Sequence, residues 1–304
     1  MGDKDCIYFL RRHLPELGYR WEGFRKVRKQ VCKRINRRIR ELDLENIHAY
    51  REYLESHGEE MNVLDGMCNI TISRFYRDKG VFDSISSMVF PALIEQTRED
   101  RQGQTREDRQ GQTREDWQGQ TREDRQGQAR EDRQEQIRCW SAGSASGEEP
   151  YTLTIIWNLA VPAEHKRGLS LQITVTDRDP HLIERAENGI YPGGALKELP
   201  WEWKERAFEK NDNDFRIRKE FRRDVRFLKQ DIRSGLPEGT FDLVLCRNLA
   251  FTYFREELQR EILQRIMTRL TPGGYLITGS HESLPEQRED LMRVEKCIYR
   301  RGIT

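Results

Sequence analysis

A short repeat in the middle of the chain divides the sequence into two parts. Residues 96–135 hold five near-perfect copies of the octapeptide Gln-Thr-Arg-Glu-Asp-Arg-Gln-Gly, with Trp117 and Ala129 among the few replacements. An eight-residue period drifts off one helix face, because two helical turns take about 7.2 residues, and a glycine inside a helix costs about 1 kcal/mol. These features predict a charged linker at 96–137, disordered or only transiently helical, between domains at 1–95 and 138–304.

Composition excludes several classes of protein. The 53 Lys and Arg residues nearly balance 52 Asp and Glu, which argues against a nucleic-acid coat or an acidic tail. No stretch reaches the roughly 20 apolar residues that span a bilayer, and no secretory signal is present, so we expect a soluble cytoplasmic protein. We also expect reduced thiols, no disulfide framework and no metal, because the cysteines are far apart: Cys6, Cys32, Cys68, Cys139, Cys246 and Cys297.

The part before the repeat is predicted to be a small all-α domain. Apolar residues recur at helical spacing between residues 7 and 91, as in Val31, Ile35 and Ile39. A predicted helix at 21–42 carries nine cations and, before Glu41, a single acid. Such a run is either a solvated face or a docking surface for an acidic partner.

Strands and helices alternate after the repeat. Predicted strands lie at 137–141, 171–176, 241–246 and 275–279, predicted helices at 149–159, 180–188 and 256–270, and a turn at 271–274. This order predicts the α/β class with a doubly wound parallel sheet. The arginine-rich segment 214–228 has the composition of a small antiparallel insert.

The loop after the first of these strands predicts a ligand site. Small residues at 141–147 allow a ligand close to the backbone at the carboxyl end of the strand. The loop lacks the Gly-Lys-Ser/Thr ending of a phosphate loop, and Ala145 stands where a nucleophile elbow needs serine. Glu148 and Glu149 would repel phosphate. A cationic nucleoside such as S-adenosylmethionine fits this chemistry, and the alternative is a merely tight turn.

An acid after the next strand favours the nucleoside. Asp177 ends the strand at 171–176, where an acid in a nucleotide-binding unit accepts hydrogen bonds from ribose hydroxyls. Asp179 precedes Pro180 and is expected to be a helix N-cap, which is a structural role.

Five segments in order resemble the CheR-type methyltransferases, which methylate glutamates of chemotaxis receptors. They include the runs Ser-Ala-Gly-Ser-Ala-Ser-Gly-Glu-Glu-Pro-Tyr and Cys-Arg-Asn-Leu, and they lie at 70–78, 141–151, 187–191, 246–254 and 279–282. The resemblance covers nearly everything outside the repeat. It implies a Rossmann-like class I methyltransferase domain that uses S-adenosylmethionine without a metal and forms a methyl ester on a protein glutamate.

The resemblance also implies site residues. The cofactor-binding set is Thr71, Ser73, Arg77, Gly143, Glu148, Glu149, Asp177, Asp231, Ile232, Arg247 and Asn248. Within it, Arg77 would pair with the cofactor carboxylate, and Asp231 would lie beside adenine. The catalytic set is Arg77, Asn248 and Tyr253. Two alternatives stay open: Arg77 as an interdomain salt bridge, and Tyr253 as a core aromatic.

The partner implied is an acidic receptor helix. Arg34, Arg37 and Arg38 are the expected docking residues on the basic segment. Departures from the family pattern at Thr71, before Tyr253 and at 280–281 leave other acceptors open, among them another protein or a small molecule. A catalytically silent cofactor-binding module and a nucleic-acid methyltransferase are further alternatives, the last without the aromatic interleaving that such binding uses.

Overall fold

The structure is a computed structural model and describes residues 3–111 and 135–303. Its first part is helical, as predicted. The bounds are α1 Asp3–His13, α2 Trp21–Phe24, α3 Arg28–Glu41, α4 Ile47–Ser56 and α5 Glu60–Met67. The single helix expected at 21–42 is therefore two helices with a turn at 25–27, where the amide of Val27 donates to the carbonyl of Phe24.

A long helical segment leads out of this part. α6 (Lys79–Ser84) continues through a π-helical turn (Ile85–Val89) into α7 (Phe90–Gly111). Both ends of the predicted linker at 96–137 have regular structure, because residues 96–111 are helical and a strand starts at Glu135. Tertiary contacts stabilise α7 where it enters the repeat: Phe90 is buried, and Gln96 donates to the carbonyl of Pro272 at 2.9 Å. Residues 112–134 of the predicted linker lie outside the described part.

The second part is built on a seven-stranded sheet in the order β6-β2-β1-β7-β8-β10-β9. Its strands are β1 Glu135–Ala142, β2 Leu169–Asp177, β6 Val225–Lys229, β7 Phe241–Cys246, β8 Leu270–Thr278, β9 Leu291–Glu295 and β10 Ile298–Arg301. The sheet is mixed rather than all-parallel, because β10 pairs antiparallel with both β8 and β9. Its other described pairings are parallel, as expected.

Helices and a small sheet complete this part. The helices are α8 Glu148–Leu159, α9 Pro180–Asn188, α10 Trp201–Ala207, α11 Ala250–Tyr253 and α12 Glu256–Arg269. The small antiparallel sheet contains β3 Ile190–Pro192, β4 Phe208–Asn211 and β5 Asp214–Ile217. The insert expected at 214–228 is thus half right, because β5 joins the small sheet and β6 joins the main one.

The turn expected at 271–274 is wrong. β8 passes straight through Pro272 and both glycines, and its pairing with β7 shifts register between Phe241 and Leu243. The hydroxyl of Thr271 donates to the carboxylate of Asp242 at 3.0 Å, which holds the irregular stretch against β7.

Two apolar cores lie on the two faces of the main sheet. Because successive strand residues point to opposite faces, Cys139 of β1 joins one core and Trp140 the other. The first core packs α8 and the π-helical turn against the sheet. The second core contains Trp140 together with Phe24 and Ile35 of the helical part. The helical part is therefore packed directly on one face of the main sheet.

The expectation that all thiols are reduced is wrong for one pair. Cys6 of α1 and Cys32 of α3 form a disulfide, with their Cα atoms 6.0 Å apart. Helix packing brings the two together, and their separation of 26 residues in sequence gave no indication of it. Among the helices described, none is long and apolar enough to cross a membrane.

Candidate functional site

A cavity of about 600 Å³, a volume that includes space open to solvent, lies between the helical part and the carboxyl ends of β1, β2, β6 and β7. This position is where open α/β sheets bind ligands. The wall is formed by Tyr19, Cys68, Asn69, Ile70, Gly143, Thr176, Asp177, Arg178, Gln230, Asp231, Ile232, Asn248, Leu249, Tyr253 and Phe254. Five of the predicted cofactor-binding residues line it: Gly143, Asp177, Asp231, Ile232 and Asn248.

Asp177 joins the glycine loop to the end of β2. One carboxylate oxygen accepts from the amide of Ala145 and the other from the amide of Asp179, both at 3.0 Å. Gly143 has φ +66°, and a side chain there would collide with Leu249. Burial raises the pKa of Asp177 to about 6. A carboxylate offers about four lone-pair positions, so Asp177 keeps acceptor capacity for the two hydroxyls of a ribose.

The neighbouring Asp179 has the structural role expected from the sequence. Its side chain accepts from the amide of His181 at 2.9 Å, and α9 begins at Pro180. The two acids at the end of β2 therefore have different roles: Asp179 caps α9, and Asp177 faces the cavity.

Asp231 is already held by an arginine. Arg233 donates to both carboxylate oxygens of Asp231 over distances of 2.6–3.1 Å. Burial opposes ionisation, but the hydrogen bonds from Arg233 outweigh it and lower the pKa of Asp231. Ile232, the next residue, supplies an apolar surface to the cavity, which suits the flat face of a base.

Two predicted residues, Glu148 and Arg77, do not form part of the cavity wall. The carboxylate of Glu148 is 2% exposed and accepts from the hydroxyl of Ser146 at 2.9 Å. Burial raises its pKa, although hydrogen bonds from Ser146 and Ser73 oppose the rise.

Arg77 donates to the carbonyl of Ile72 at 2.7 Å. Since a guanidinium has five donors, this contact leaves Arg77 further capacity for a carboxylate.

Arg247 and Glu149 contact each other, and neither lines the cavity. Arg247 donates to Glu149 and to Asp78, both at 2.9 Å, and to the carbonyl of Arg77 at 3.1 Å. Its side chain is 4% exposed. The arrangement ties the segment that carries Arg77 to the main sheet, so at this segment Arg247, rather than Arg77, makes a salt bridge between the two parts.

The remaining predicted residues near the reactive end are Asn248, Tyr253 and Thr71. Asn248 has a left-handed backbone with φ +55°. Tyr253 both lines the cavity and packs on Phe24 at 5.1 Å between ring centroids, and burial raises its pKa although Arg77 opposes the rise. Thr71 follows the cavity residue Ile70 and is half-buried.

The three predicted docking arginines do not form one surface. Arg34 donates to the carbonyls of Met67 and Asn69. Arg38 makes a bidentate contact of 2.8 and 2.9 Å with the buried carboxylate of Glu60. Arg37 is 70% exposed and pairs with Glu41 at 3.4 Å. The docking prediction therefore narrows to Arg37 and the exposed cations beside it.

Sequence reasoning missed several residues of the site. Tyr19, Asp65, Arg178 and Arg233 form an ion network beside Asp177 and Asp231, and Glu282 accepts from the amide of Asn248. Arg178 could have been found, because it directly follows Asp177. Asp65 carries no local signal, since both of its arginine partners lie more than 100 residues away.

Comparison with known families decides the class. The family described as "CheR methyltransferase, SAM binding domain" matches residues 104–299. This chain belongs to that family. The match extends from α7 into β10 and includes the cavity-lining loops of the catalytic part, so the chain is an S-adenosylmethionine-dependent methyltransferase of the CheR type.

Three chemotaxis protein methyltransferases are similar to this chain, two of them over most of its length. A chemotaxis protein methyltransferase of Listeria monocytogenes is 24% identical over 282 residues, which cover 93% of this chain and 91% of the relative. That of Klebsiella aerogenes is 27% identical, with 91% of this chain and 82% of the relative covered. That of Vibrio parahaemolyticus is 34% identical over 153 residues, covering 49% of this chain and 54% of the relative.

The cavity fits the cofactor of the family. Asp177 has free acceptor positions for ribose, Ile232 offers an apolar surface for a base, and the buried oxygen Oε1 of Gln230, a residue of the wall, has no partner in the described structure. The amino group of adenine can donate a hydrogen bond to such an oxygen. These three groups lie on adjacent strands β2 and β6 or just after them.

Proposed function

We propose that this methyltransferase forms methyl esters on glutamate side chains of a chemotaxis receptor. The observation that carries the proposal is the chemistry at the Asn248 end of the cavity. Asn248 is neutral, and burial raises the pKa of the Tyr253 phenol, so both side chains act as hydrogen-bond donors rather than bases at neutral pH. A glutamate with a pKa of about 4.3 is already ionised and needs no base. An amine or hydroxyl acceptor would need one.

Each residue of the site then has a defined task. Asp177 accepts from the ribose hydroxyls, and Ile232 covers one face of adenine. Arg77 binds the cofactor carboxylate through its planar guanidinium, while Glu148 faces the amino group. S-adenosylmethionine supplies a methyl group on a positive sulfur. The protein aligns the acceptor with that methyl group and excludes water, which are the contributions expected when no proton is transferred.

The docking surface proposed for the receptor is a cationic stripe on α3. Lys29, Lys33, Arg37 and Arg40 are exposed and follow one another at helical spacings of four, four and three residues. They therefore share one face of α3 over about 17 Å. The opposite face, with Val31, Ile35 and Ile39, is buried. An acidic helix can lie along this stripe without displacing any contact of the core.

Stability of the product label tests the acceptor. The protein is incubated with methyl-labelled S-adenosylmethionine and membranes that contain a chemotaxis receptor, and the labelled receptor is exposed to mild base. A carboxyl ester releases volatile methanol, so the label should leave the receptor. Replacement of the receptor's acceptor glutamates by alanine should abolish labelling. A label that survives base, as an N-methyl group does, would rule the ester out.

A further inference from the structure

Glu282 is a buried carboxylate behind the wall of the cavity. It follows β8 in the sequence and is 9% exposed. Its Oε2 accepts from the amide of Asn248 at 2.8 Å and from the amide of Gly279 at 2.6 Å. Its Oε1 accepts from the hydroxyl of Thr252 at 2.5 Å. One side chain thus joins the loop after β7, the loop after β8 and the short helix α11.

The contact with Asn248 compensates for an unfavourable backbone. Asn248 has φ +55°, a left-handed conformation that is uncommon outside glycine, although asparagine tolerates it better than most residues. Its amide is held by Glu282, and a buried amide without a partner costs about 1–3 kcal/mol. Without Glu282, the backbone at Asn248 would lose the acceptor that fixes it.

The fit around Glu282 is tight. A Cβ atom at Gly279 would lie 2.7 Å from Oε2 of Glu282 and 2.8 Å from Nδ2 of Asn248, so this position admits only glycine without a shift. Burial raises the pKa of Glu282, although the hydrogen bonds from Thr252, Gly279 and Asn248 oppose the rise. A carboxylate is retained here despite its desolvation, where an apolar side chain could fill the space.

We infer that Glu282 is a positioning residue, which holds Asn248, Leu249 and α11 in place at the reactive end of the cavity. Asn248, Leu249 and Tyr253 all line the cavity, and Glu282 contacts the first of them and the residue before Tyr253. Glu282 itself does not line the cavity. The inference rests on the proposed use of this cavity by S-adenosylmethionine.

Three substitutions separate geometry from charge. Glu282→Gln can place its carbonyl oxygen toward the amides of Asn248 and Gly279 and its amino group toward the hydroxyl of Thr252, which can rotate to accept. It therefore keeps every contact and loses only the charge. Glu282→Asp keeps the charge but is one methylene too short, and Glu282→Ala removes all contacts. Thr278→Val is the matched control, because Thr278 is buried one residue before Gly279 and its hydroxyl has no partner in the described structure.

Two readouts are measured on the full chain. The first is the dissociation constant of S-adenosylhomocysteine by calorimetry, which needs no methyl acceptor and also counts folded sites. The second is kcat for receptor methylation per binding-competent site. We expect Glu282→Ala and Glu282→Asp to raise the dissociation constant about tenfold and to lower kcat about 100-fold, since small misplacements at reactive centres cost about this much. Glu282→Gln and Thr278→Val should stay within about threefold of wild type in both.

The outcomes distinguish this inference from the proposed function. Wild-type levels of binding and kcat in Glu282→Asp would overturn the positioning role. A loss in Glu282→Gln as large as in Glu282→Ala would overturn it too, because the charge and not the hydrogen bonds would then matter. If wild-type protein binds the cofactor but labels no receptor, the acceptor proposal fails, and the calorimetric series still decides the role of Glu282. If Glu282→Ala does not fold, Glu282→Asp and Glu282→Gln carry the comparison.

Discussion

Arg233 of the catalytic part donates to both carboxylate oxygens of Asp65 in the helical part, at 3.2 and 2.7 Å. Arg178, next to Asp177, reaches the same carboxylate at 2.8 Å, and Tyr19 donates to it at 2.8 Å. Asp65 is therefore the centre of an ion network that joins the helical part to the catalytic part at the Asp177 end of the cavity. Burial opposes ionisation, but the hydrogen bonds from the two arginines outweigh it and lower the pKa of Asp65.

Asp65→Asn should loosen both the fold and the cofactor site. The carboxylate is 13% exposed, and breaking a largely buried ion pair costs about 3 kcal/mol. We expect the free energy of unfolding in urea to fall by about that amount and cofactor affinity to drop, because Tyr19 and Arg178 line the cavity. The control is Asp290→Asn, which breaks a more exposed pair with Arg288 and should cost less than about 1 kcal/mol. Equal losses in the two variants would contradict a special role for Asp65.

Cofactor affinity should depend on pH through Asp177. Its pKa of about 6 means that the carboxyl group is ionised above pH 6 and becomes protonated below it. Ribose hydroxyls donate best to the ionised form, so bound cofactor stabilises that form and affinity should fall as the pH drops below 6, by at most tenfold per unit. Calorimetry with S-adenosylhomocysteine between pH 5 and 8 measures this. Asp177→Asn should bind more weakly at pH 8 and show a flatter profile, and a wild-type profile that is flat below pH 6 would refute the assignment.

Arg77→Ala should weaken only those ligands that have a carboxylate. Loss of a charge-assisted contact to a carboxylate costs about 1.5–3 kcal/mol, which corresponds to a rise of about 10- to 100-fold in the dissociation constant of S-adenosylhomocysteine. Methylthioadenosine lacks the amino-acid part and should bind Arg77→Ala and wild type alike. Arg74→Ala is the control, since Arg74 is exposed and pairs with Glu198 at 3.5 Å. If both ligands lose affinity equally, Arg77 acts by holding the domains together.

Charge reversal on α3 should impair receptor methylation without affecting the cofactor. Lys33→Glu combined with Arg37→Glu changes two cations of the exposed stripe, so the apparent KM for receptor membranes should rise several-fold at low salt, and less at high salt because exposed charges are screened. S-adenosylhomocysteine affinity should not change. The matched control reverses Arg293 and Lys296, exposed cations at the edge strand β9. An unchanged KM would remove the stripe from the docking surface.

Arg38→Glu should behave differently from these reversals. Because Arg38 pairs with the buried Glu60, its reversal places two carboxylates together inside the helical part. We expect a lower melting temperature rather than a selective rise in KM. Thermal unfolding monitored by circular dichroism separates the two effects.

The sequence predicted those parts of the site whose signals are local. Gly143, Asp177 and Asp179 lie in a strand, turn and helix unit, where a small residue, an acid and a cap each have a fixed place, and the helix at 180–188 has the bounds expected. Asp231, Ile232 and Asn248, which the family resemblance implied, also line the cavity. Their roles toward the cofactor stay predictions.

The parts that could not be predicted depend on contacts between distant segments. Asp65 and Arg233 are 168 residues apart, and neither belongs to a recognisable pattern. Cys6 and Cys32 become neighbours only when α1 packs on α3. The start of the repeat is helical because Phe90 and Gln96 hold α7 on the catalytic part, and these tertiary contacts outweigh the weak helical preference of the octapeptide.

The central claim, that this cavity holds the methyl donor, is tested most directly by calorimetric titration with S-adenosylhomocysteine. We expect wild-type protein to bind one equivalent. Asp177→Ala and Arg77→Ala should each raise the dissociation constant about tenfold or more, since they act on opposite ends of the ligand. The account would be contradicted by a wild-type protein that binds nothing, or by two variants that bind as tightly as wild type.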